Sequence, residues 1–377
     1  MIQRTTRFVP RDFDIFAGLD VDKKSISATF ADHEMAARSI HIPYDADNLL
    51  NYVASRFAGK RVAFAYEAGP TGYGLYDSIK AAGYPCLVVA ACKIPMVRGV
   101  QVKTNRIDSK RLAESLRAGE LKSIHVPSES YRNLRHLVQL RDTCVRQSTS
   151  TKFRIKSLLL LEGIPYPESA SPSGHVSQAV MAELRRLPCN AAIRFKINQL
   201  VSTLEFSREQ VVATTKEIRR FCLEDEEVRR NILFLMSIPG IGWIVATHLL
   251  ARIGDWREMG NVRQLGSFLG LTQREASTGD EVRRGSITRV GDGRLRNKLV
   301  QGAWVAIRQD PELRRFYERI YQRHPKQTAA KKAIVAVARK MTMRIHAVLT
   351  GQRNYIVNND LSSEETDLRE RLDGSQN

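Results

Sequence analysis

The spacing of apolar and polar positions changes along the chain and divides it into three regions. In the first region, up to about residue 118, short apolar runs alternate with stretches of helical period. The runs predict strands at 13–22, 25–31, 61–67 and 86–90, and the stretches predict helices at 47–57, 73–82 and 108–118. A strand hairpin followed by strand–helix–strand units predicts a mixed sheet with helices packed on it, an α/β fold.

The second region, from about 128 to 226, loses the strand pattern and becomes helical and basic. Apolar residues at helical spacing predict long helices at 131–162 and 191–223, and the Pro- and Ser-rich segment 165–173 predicts an exposed connection. Two long helices make a coiled-coil-like arm whose apolar stripe a partner subunit would cover. A helical hairpin packed on its own chain fits the pattern equally well.

The third region, from 231 to about 350, predicts a mostly helical domain. The sequence Pro-Gly-Ile-Gly at 239–242, between two helices, has the form of a helix-hairpin-helix, in which the amides of Gly240 and Gly242 donate hydrogen bonds to a nucleic-acid phosphate. A tight turn without a ligand is the alternative. The basic helix at 331–344 either follows a nucleic-acid backbone or presents a solvated face. We therefore predict domains at 13–125, 126–230 and 231–355, and a disordered acidic tail at 356–377.

Charge narrows the choice of partner. The 377 residues contain 59 Lys and Arg against 40 Asp and Glu, for a formal net charge of +19, which favours a polyanionic partner. We find no apolar run long enough to span a bilayer and no signal peptide, so we expect a cytoplasmic protein that acts on nucleic acid and not on membranes. The five cysteines show no zinc-binding spacing and are expected to be reduced thiols.

Candidate chemistry begins in the segment 272–296, where Ser277 lies among glycines and arginines. Arginine binds phosphate oxygens bidentately, and glycine lets the backbone approach a ligand closely. We predict that Ser277 is a nucleophile, with Ser286 as its competitor, and that this segment binds nucleic acid through Arg283, Arg284, Arg289, Arg294 and Arg296. A basic surface turn between two helices is the alternative.

Carboxylates in the first region form a second candidate set. Asp20 lies inside an apolar strand, where a charge is costly without a partner or a metal ion. Glu67 ends another strand and Asp108 begins a helix, and oxygen ligands of this kind suit Mg²⁺. Asp22 competes with Asp20, although it could cap the strand hairpin. Glu67 could face water, and Asp108 could be a helix N-cap.

Taken together, these features resemble the DEDD-type insertion-sequence transposases, the family that includes the Piv DNA invertases and the RNA-guided bridge recombinases. The resemblance rests on blocks at 18–21, 66–72, 102–113, 238–242 and 268–291, which occur in the family's order. It covers nearly the whole chain.

The resemblance implies an RNase H-fold, RuvC-like N-terminal domain with an acidic tetrad that binds Mg²⁺, and a C-terminal transposase domain whose serine forms a phosphoserine intermediate with DNA. Asp20, Glu67 and Asp108 match the first, second and fourth acidic residues, and Ser277 matches the nucleophile. At the third position this chain has Asn105, which offers a carbonyl oxygen but no charge. Lys103 and Arg106, beside it, are predicted to bind nucleic acid.

We therefore predict an RNA-guided DNA recombinase that moves its own insertion element. Its partners are donor and target DNA, a guide (bridge) RNA and further copies of the chain in a dimer or tetramer, with one subunit's RuvC-like domain meeting another's serine domain. One alternative is a site-specific invertase that reads DNA without RNA. The other is a non-catalytic nucleic-acid-binding protein that lost its chemistry with Asn105.

Overall fold

The computed structural model describes residues 8–34, 36–94, 105–167, 169, 176–258, 261–275 and 284–357, and at 105, 106, 258 and 284 it describes the backbone alone. The chain divides into two compact units, Met1–Val126 and Pro127–Asn377. Within the described ranges, no helix combines the length and the apolarity needed to cross a membrane.

The first unit is built on a mixed sheet. Its strands are β1 (Ile15–Val21), β2 (Ser25–Ala31), β3 (Ala37–Pro43), β4 (Val62–Glu67) and β5 (Cys86–Val89), and its helices are α1 (Ala46–Arg56), α2 (Gly74–Ala81) and α3 (Asn105–Arg117). The strand order is β3-β2-β1-β4-β5. The first three strands pair antiparallel, whereas β4 pairs parallel with both β1 and β5.

Successive strand residues face opposite sides of this sheet, and each side has its own apolar core. Leu19 and Phe64 belong to the core that includes α1 and α2. Phe16 and Ala65 belong to the core on the other side, which they share with Leu112 of α3. The predicted α/β sheet is thus confirmed, with β3 as an additional strand.

The second unit is mostly helical in the part that the structure describes. Its helices are α4 (Glu129–Leu161), α5 (Gln178–Leu184), α6 (Ala191–Glu224), α7 (Glu226–Met236), α8 (Trp243–Ile253), α9 (Val262–Phe268), α10 (Gly293–Gln309), α11 (Pro311–Gln322) and α12 (Lys326–Gly351). The strands β6 (Gln273–Glu275) and β7 (Arg284–Ile287) form an antiparallel hairpin between α9 and α10.

The long helices α4 and α6 run antiparallel and take part in two separate cores. Leu134 of α4 and Ile218 of α6 join the main core, which contains residues of α7 to α12. Ile155 of α4, Val201 of α6 and Met181 of α5 form a second core at the other end of the helix pair. The base of the predicted arm therefore shares its core with the helices that follow it.

Candidate functional site

A glycine brings the candidate carboxylates of the first unit towards one another. A side-chain carbon at Gly18 in β1 would lie 2.1 Å from the carbonyl oxygen of Ser109 and 2.3 Å from the amide nitrogen of Ala113. Only glycine permits so close a crossing of α3 over the strand. The hydroxyl groups of Thr29 and Ser109 are hydrogen-bonded at 2.8 Å and hold the helix to β2 as well.

Asp20 and Glu67 lie on the same side of the sheet as α3. Gly18 and Ala65 are register partners in the parallel strands β1 and β4, and each carboxylate lies two residues beyond one of these partners. Because side chains alternate along a strand, both carboxylates face the α3 side at the same edge. Asp108 lies in the first turn of α3, which begins at Asn105 and thus three residues earlier than predicted.

The neighbouring carboxylates act on the titration of Asp20. Partial burial raises the pKa of the Asp20 carboxyl, and the negative charges of Asp108, Asp22 and Glu67 raise it further. The Glu67 side chain is exposed, and that of Asp108 is half-buried. Asp20 is therefore the carboxyl group on which partial burial and the neighbouring negative charges act together.

Asp22 has a local role in the turn between β1 and β2. Its carboxylate accepts a hydrogen bond from the amide of Lys23 at 2.7 Å, and its own amide donates to the carbonyl of Ser25 at 2.9 Å. This arrangement agrees with the hairpin-capping alternative for Asp22.

The chemistry of these oxygen donors fits a hard divalent cation such as Mg²⁺. Among the described side chains, however, no three His, Cys, Asp or Glu residues already lie close enough to hold one ion together. Like charges disfavour a tighter cluster, and a bound cation would remove that repulsion. Lys103 lies outside the described residues, as do the side chains of Asn105 and Arg106.

The segment around the predicted nucleophile is held at its ends by the β6–β7 hairpin. Glu275 and Arg284 are register partners, and the chain between them contains Ser277 and Arg283, which lie outside the described residues. The alternative of a simple turn between two helices left out these paired strands, which lie between α9 and α10. Ser286, the competing serine, is exposed in β7.

Two glycines close the base of this hairpin. A side-chain carbon at Gly270 would lie 2.2 Å from the carbonyl oxygen of Val290, and one at Gly291 would lie 2.1 Å from that of Phe268. Both glycines have positive φ, which other residues adopt only at a cost. The two chain segments leading into and out of the hairpin are thus in backbone contact.

The predicted arginines after the hairpin differ in their surroundings. Arg289 is exposed and has a left-handed backbone, and its amide donates to the carbonyl of Gly270 at 3.2 Å. Arg294 is exposed, and its guanidinium lies 3.5 Å from the carboxylate of Asp142. Arg296 donates to the carbonyl of Leu269 at 3.0 Å, so this guanidinium also stabilises the hairpin base.

The two glycines of the turn between α7 and α8 also differ. Gly240 has a φ of +82°, and a side-chain carbon there would lie 2.1 Å from the carbonyl oxygen of Gly302 in α10. Gly242 is exposed, has open space around it and is the N-cap of α8. Helix packing accounts for Gly240, whereas Gly242 remains accessible to a phosphate.

The predicted basic helix 331–344 lies within α12, and its last residue is not on a solvated face. Arg344 is buried and forms ion pairs with Asp310 and with Glu312, the latter at 2.8 Å. Tyr355 donates to the same Asp310 carboxylate at 2.9 Å. Sequence reasoning missed this network because its members come from distant parts of the chain.

Comparison with known proteins identifies the class of enzyme. Residues 17–163 match a DEDD transposase family, and residues 233–318 match the family described as "Transposase IS116/IS110/IS902 family". The protein is a DNA transposase of the DEDD type. The chain belongs to the IS116/IS110/IS902 family of insertion-sequence transposases.

Individual relatives agree with this assignment. The y4qE protein of Sinorhizobium fredii, named as a transposase, is 30% identical over 301 residues, which cover 78% of this chain and 72% of that protein. The transposase for insertion sequence element IS1111A of Coxiella burnetii is 24% identical over 67% of this chain and 68% of its own length. The pilin gene-inverting protein of Moraxella bovis is 30% identical over a shorter part, 34% of this chain and 40% of its own.

Proposed function

We propose that this transposase is an RNA-guided DNA recombinase that cuts and exchanges strands through an acidic site and a serine nucleophile. The observation that carries the proposal is the placement of Asp20, Glu67 and Asp108 on one side of a mixed sheet. The negative charges of Asp108 and Glu67 raise the pKa of Asp20 there. A RuvC-like, RNase H-type fold is consistent with the antiparallel meander and the two parallel strands. We also propose that the protein has three domains, at 13–125, 126–230 and 231–355.

In the acidic site, Asp20, Glu67 and Asp108, with the carbonyl of Asn105, would hold Mg²⁺. When bound, this ion polarises a phosphoryl oxygen and stabilises the negative charge that develops on it. The protein's own contribution is to fix the carboxylates on the sheet and the helix, with Gly18 allowing the close approach of α3 to β1.

In the serine step, the hydroxyl oxygen of Ser277 forms a bond to the DNA phosphorus while a bridging phosphorus–oxygen bond breaks. The serine proton passes to a base, and the departing sugar oxygen takes up a proton. The phosphoserine link conserves the phosphodiester for the later exchange. The arginines predicted to bind nucleic acid in this segment, such as Arg283, Arg284 and Arg289, would neutralise the negative charge on the phosphate.

A covalent-adduct assay tests the serine. Ser277→Ala should bind nucleic acid normally and form no denaturation-resistant adduct with DNA, because the nucleophilic oxygen is absent. Ser286→Ala, in the adjacent strand β7, is the matched control and should form the adduct. An adduct with Ser277→Ala but none with Ser286→Ala would assign the reaction to Ser286.

RNA guidance is tested by sequencing the RNA that copurifies with the protein and by removing it. We expect a defined RNA whose digestion abolishes recombination. The second candidate function, DNA inversion without RNA, is favoured by the similarity to the pilin gene-inverting protein. Recombination that survives complete RNA digestion supports that function and excludes RNA guidance.

The non-catalytic alternative depends on Asn105, and the variant Asn105→Asp tests it. The natural chain should recombine DNA, and the variant should do so at a lower Mg²⁺ concentration because it adds a carboxylate. An inert natural chain beside an active variant would show that the protein is a disabled form.

A further inference from the structure

A basic pocket opens in the second unit where the beginning of α10 meets α4 and the end of α8. Its volume is about 680 Å³, and arginines from all three helices line it: Arg146, Arg252, Arg294 and Arg296. We propose that this pocket binds a phosphodiester group of the nucleic-acid backbone. The inference rests on the proposed action of the protein on DNA, and it adds Arg146 and Arg252 as phosphate-binding residues.

Different contacts hold the arginines around the pocket. Arg146 lies on α4, where it is exposed and donates to the hydroxyl of Thr143 at 2.9 Å. Arg252 lies in the last turn of α8 and donates through Nε to Asp292. Since a guanidinium has five N–H donors, each such contact orients the group and leaves further donors for a phosphate.

Asp292 is the acidic residue among those that line the pocket, and it is bound by neighbouring groups. Its carboxylate accepts hydrogen bonds from the amides of Arg294 at 2.9 Å and Leu295 at 3.2 Å, and so caps α10. Burial acts to raise the pKa of Asp292, but the hydrogen bonds from Arg252 and from these amides outweigh it and lower the pKa. Four guanidinium groups thus line the pocket beside one carboxylate, and a second, Asp142 outside the lining, lies 3.5 Å from Arg294, so the pocket keeps an excess of positive charge.

The position of the pocket favours a nucleic-acid strand over a small anion. Gly291 lines the pocket and also forms the close contact with Phe268 at the base of the β6–β7 hairpin. A backbone phosphate bound by the four arginines would therefore place its strand beside the hairpin that carries Ser277. The volume is sufficient for a phosphate together with its neighbouring sugars.

Binding measurements on the full-length protein test this proposal. Arg146→Gln removes one phosphate-binding charge and keeps good helix propensity. Arg154→Gln is the matched control, since this exposed arginine lies two turns further along α4 and does not line the pocket. The probes are labelled DNA duplex, single-stranded DNA and RNA duplex of one sequence, followed by fluorescence anisotropy over a range of salt concentrations.

We expect Arg146→Gln to weaken binding roughly tenfold and to reduce the slope of log affinity against log salt by about one, as expected for one lost phosphate contact. Arg154→Gln should change neither quantity appreciably. An effect confined to the DNA probes identifies DNA as the ligand, and one confined to RNA identifies RNA. If Arg146→Gln behaves like Arg154→Gln, or weakens binding without changing the salt slope, the pocket does not bind backbone phosphate.

A second variant, Asp292→Asn, should strengthen nucleic-acid binding where Arg146→Gln weakens it. Asp292→Asn keeps a side chain that caps helices and removes the negative charge in the pocket, so we expect binding severalfold tighter than that of the natural chain. A damaged fold cannot produce this gain. Unchanged or weaker binding by Asp292→Asn overturns the proposal. If the natural chain binds no nucleic acid at all, the proposed function fails as well, whereas normal binding without an Arg146 effect removes the pocket alone.

Discussion

At the scale of single residues, the absence of a side chain at Gly18 matters as much as the carboxylates themselves. It lets α3 approach β1 until backbone atoms of the helix occupy the space of a β-carbon. Asp20 then lies close enough to α3 to experience the charge of Asp108. Any larger residue at this position would separate the two acidic groups.

Asp20→Asn should stabilise the metal-free protein at neutral pH. The raised pKa means that the ionised carboxyl opposes folding, so stability falls as the pH rises from the ordinary carboxyl range through the raised pKa. The variant has no ionisable carboxyl at this position and so lacks this loss. We expect its free energy of unfolding at neutral pH to be higher by at most about 1 kcal/mol, because solvent screens a half-buried group. Thermal melts of the two proteins should differ at neutral pH and converge in acid.

The same melts test metal binding independently of activity. Mg²⁺ should raise the melting temperature of the natural chain and leave Asp20→Asn unchanged, because a ligand stabilises only the state that binds it. Asp22→Asn, with its carboxylate in the β1–β2 turn, should retain the Mg²⁺ response. If Asp22→Asn loses this response and Asp20→Asn keeps it, Asp22 is the ligand.

The sequence could predict Asp20 because a carboxylate within an apolar strand is a local anomaly. It could also predict that Glu67 ends a strand, since the apolar runs show where strands lie. The contact of Gly18 with Ser109 could not be predicted, because nothing in a single sequence gives the distance between a strand and a helix ninety residues away. The fold brings these residues together, and their spacing in the chain does not.

At the scale of elements, long periodic segments were predictable and short or polar ones were not. The structure agrees with the predicted α4 and α6, whose apolar residues recur over many turns. β3 is an edge strand, and its large apolar side chains are those of Ile40 and Ile42, which pack against the core that includes α1 and α2. β6 is wholly exposed and polar, so it has no alternation to recognise.

The turn between α7 and α8 provides a test of packing against ligand binding. Gly240→Ala should lower the free energy of unfolding by about 2–5 kcal/mol, since it combines a left-handed backbone with a clash against Gly302. Gly242→Ala, at an open N-cap, should cost about 1 kcal/mol or less. Urea denaturation of both variants measures the difference, and equal losses would contradict the packing role of Gly240.

The buried network around Arg344 makes a second prediction at this scale. Arg344→Met should destabilise the protein by about 3–5 kcal/mol, because it leaves the buried Asp310 carboxylate without its cation. Arg339→Gln, an exposed position on the same helix, should change stability by about 0.5 kcal/mol or less. A loss for Arg344→Met no larger than for Arg339→Gln would show that Tyr355 and the amide of Leu313 satisfy the Asp310 carboxylate by themselves.

At the scale of the whole molecule, the main question is how the chain associates with itself. The ends of α4 and α6 that surround the second core carry large exposed apolar side chains, namely Phe153, Leu160, Leu161, Phe195 and Phe206. Exposed apolar surface of this kind becomes favourable to bury when subunits associate. It supports the proposed homo-oligomer, whose subunits would bury it.

Replacing Phe153 and Phe206 together by Ser should weaken self-association. Each phenylalanine contributes about 1.5–3 kcal/mol when buried, so the dissociation constant should rise tenfold or more. Ile356→Ser, which removes a still more exposed apolar side chain from the segment after α12, is the control. Sedimentation velocity over a range of concentrations measures self-association of the double variant and of the control. If the double variant forms assemblies of the same mass as the natural chain, the interface lies elsewhere.

The closed base of the β6–β7 hairpin has a consequence for how this family can evolve. The chain enters and leaves the segment that carries Ser277 at paired residues, Glu275 and Arg284, and the glycine contacts below them lock the two ends together. Doubling the length of a loop whose ends are already fixed costs only about 0.6 kcal/mol. Insertions and deletions at this one point should therefore be tolerated by the helical core, and selection can alter the segment between Glu275 and Arg284 while the rest of the domain stays the same.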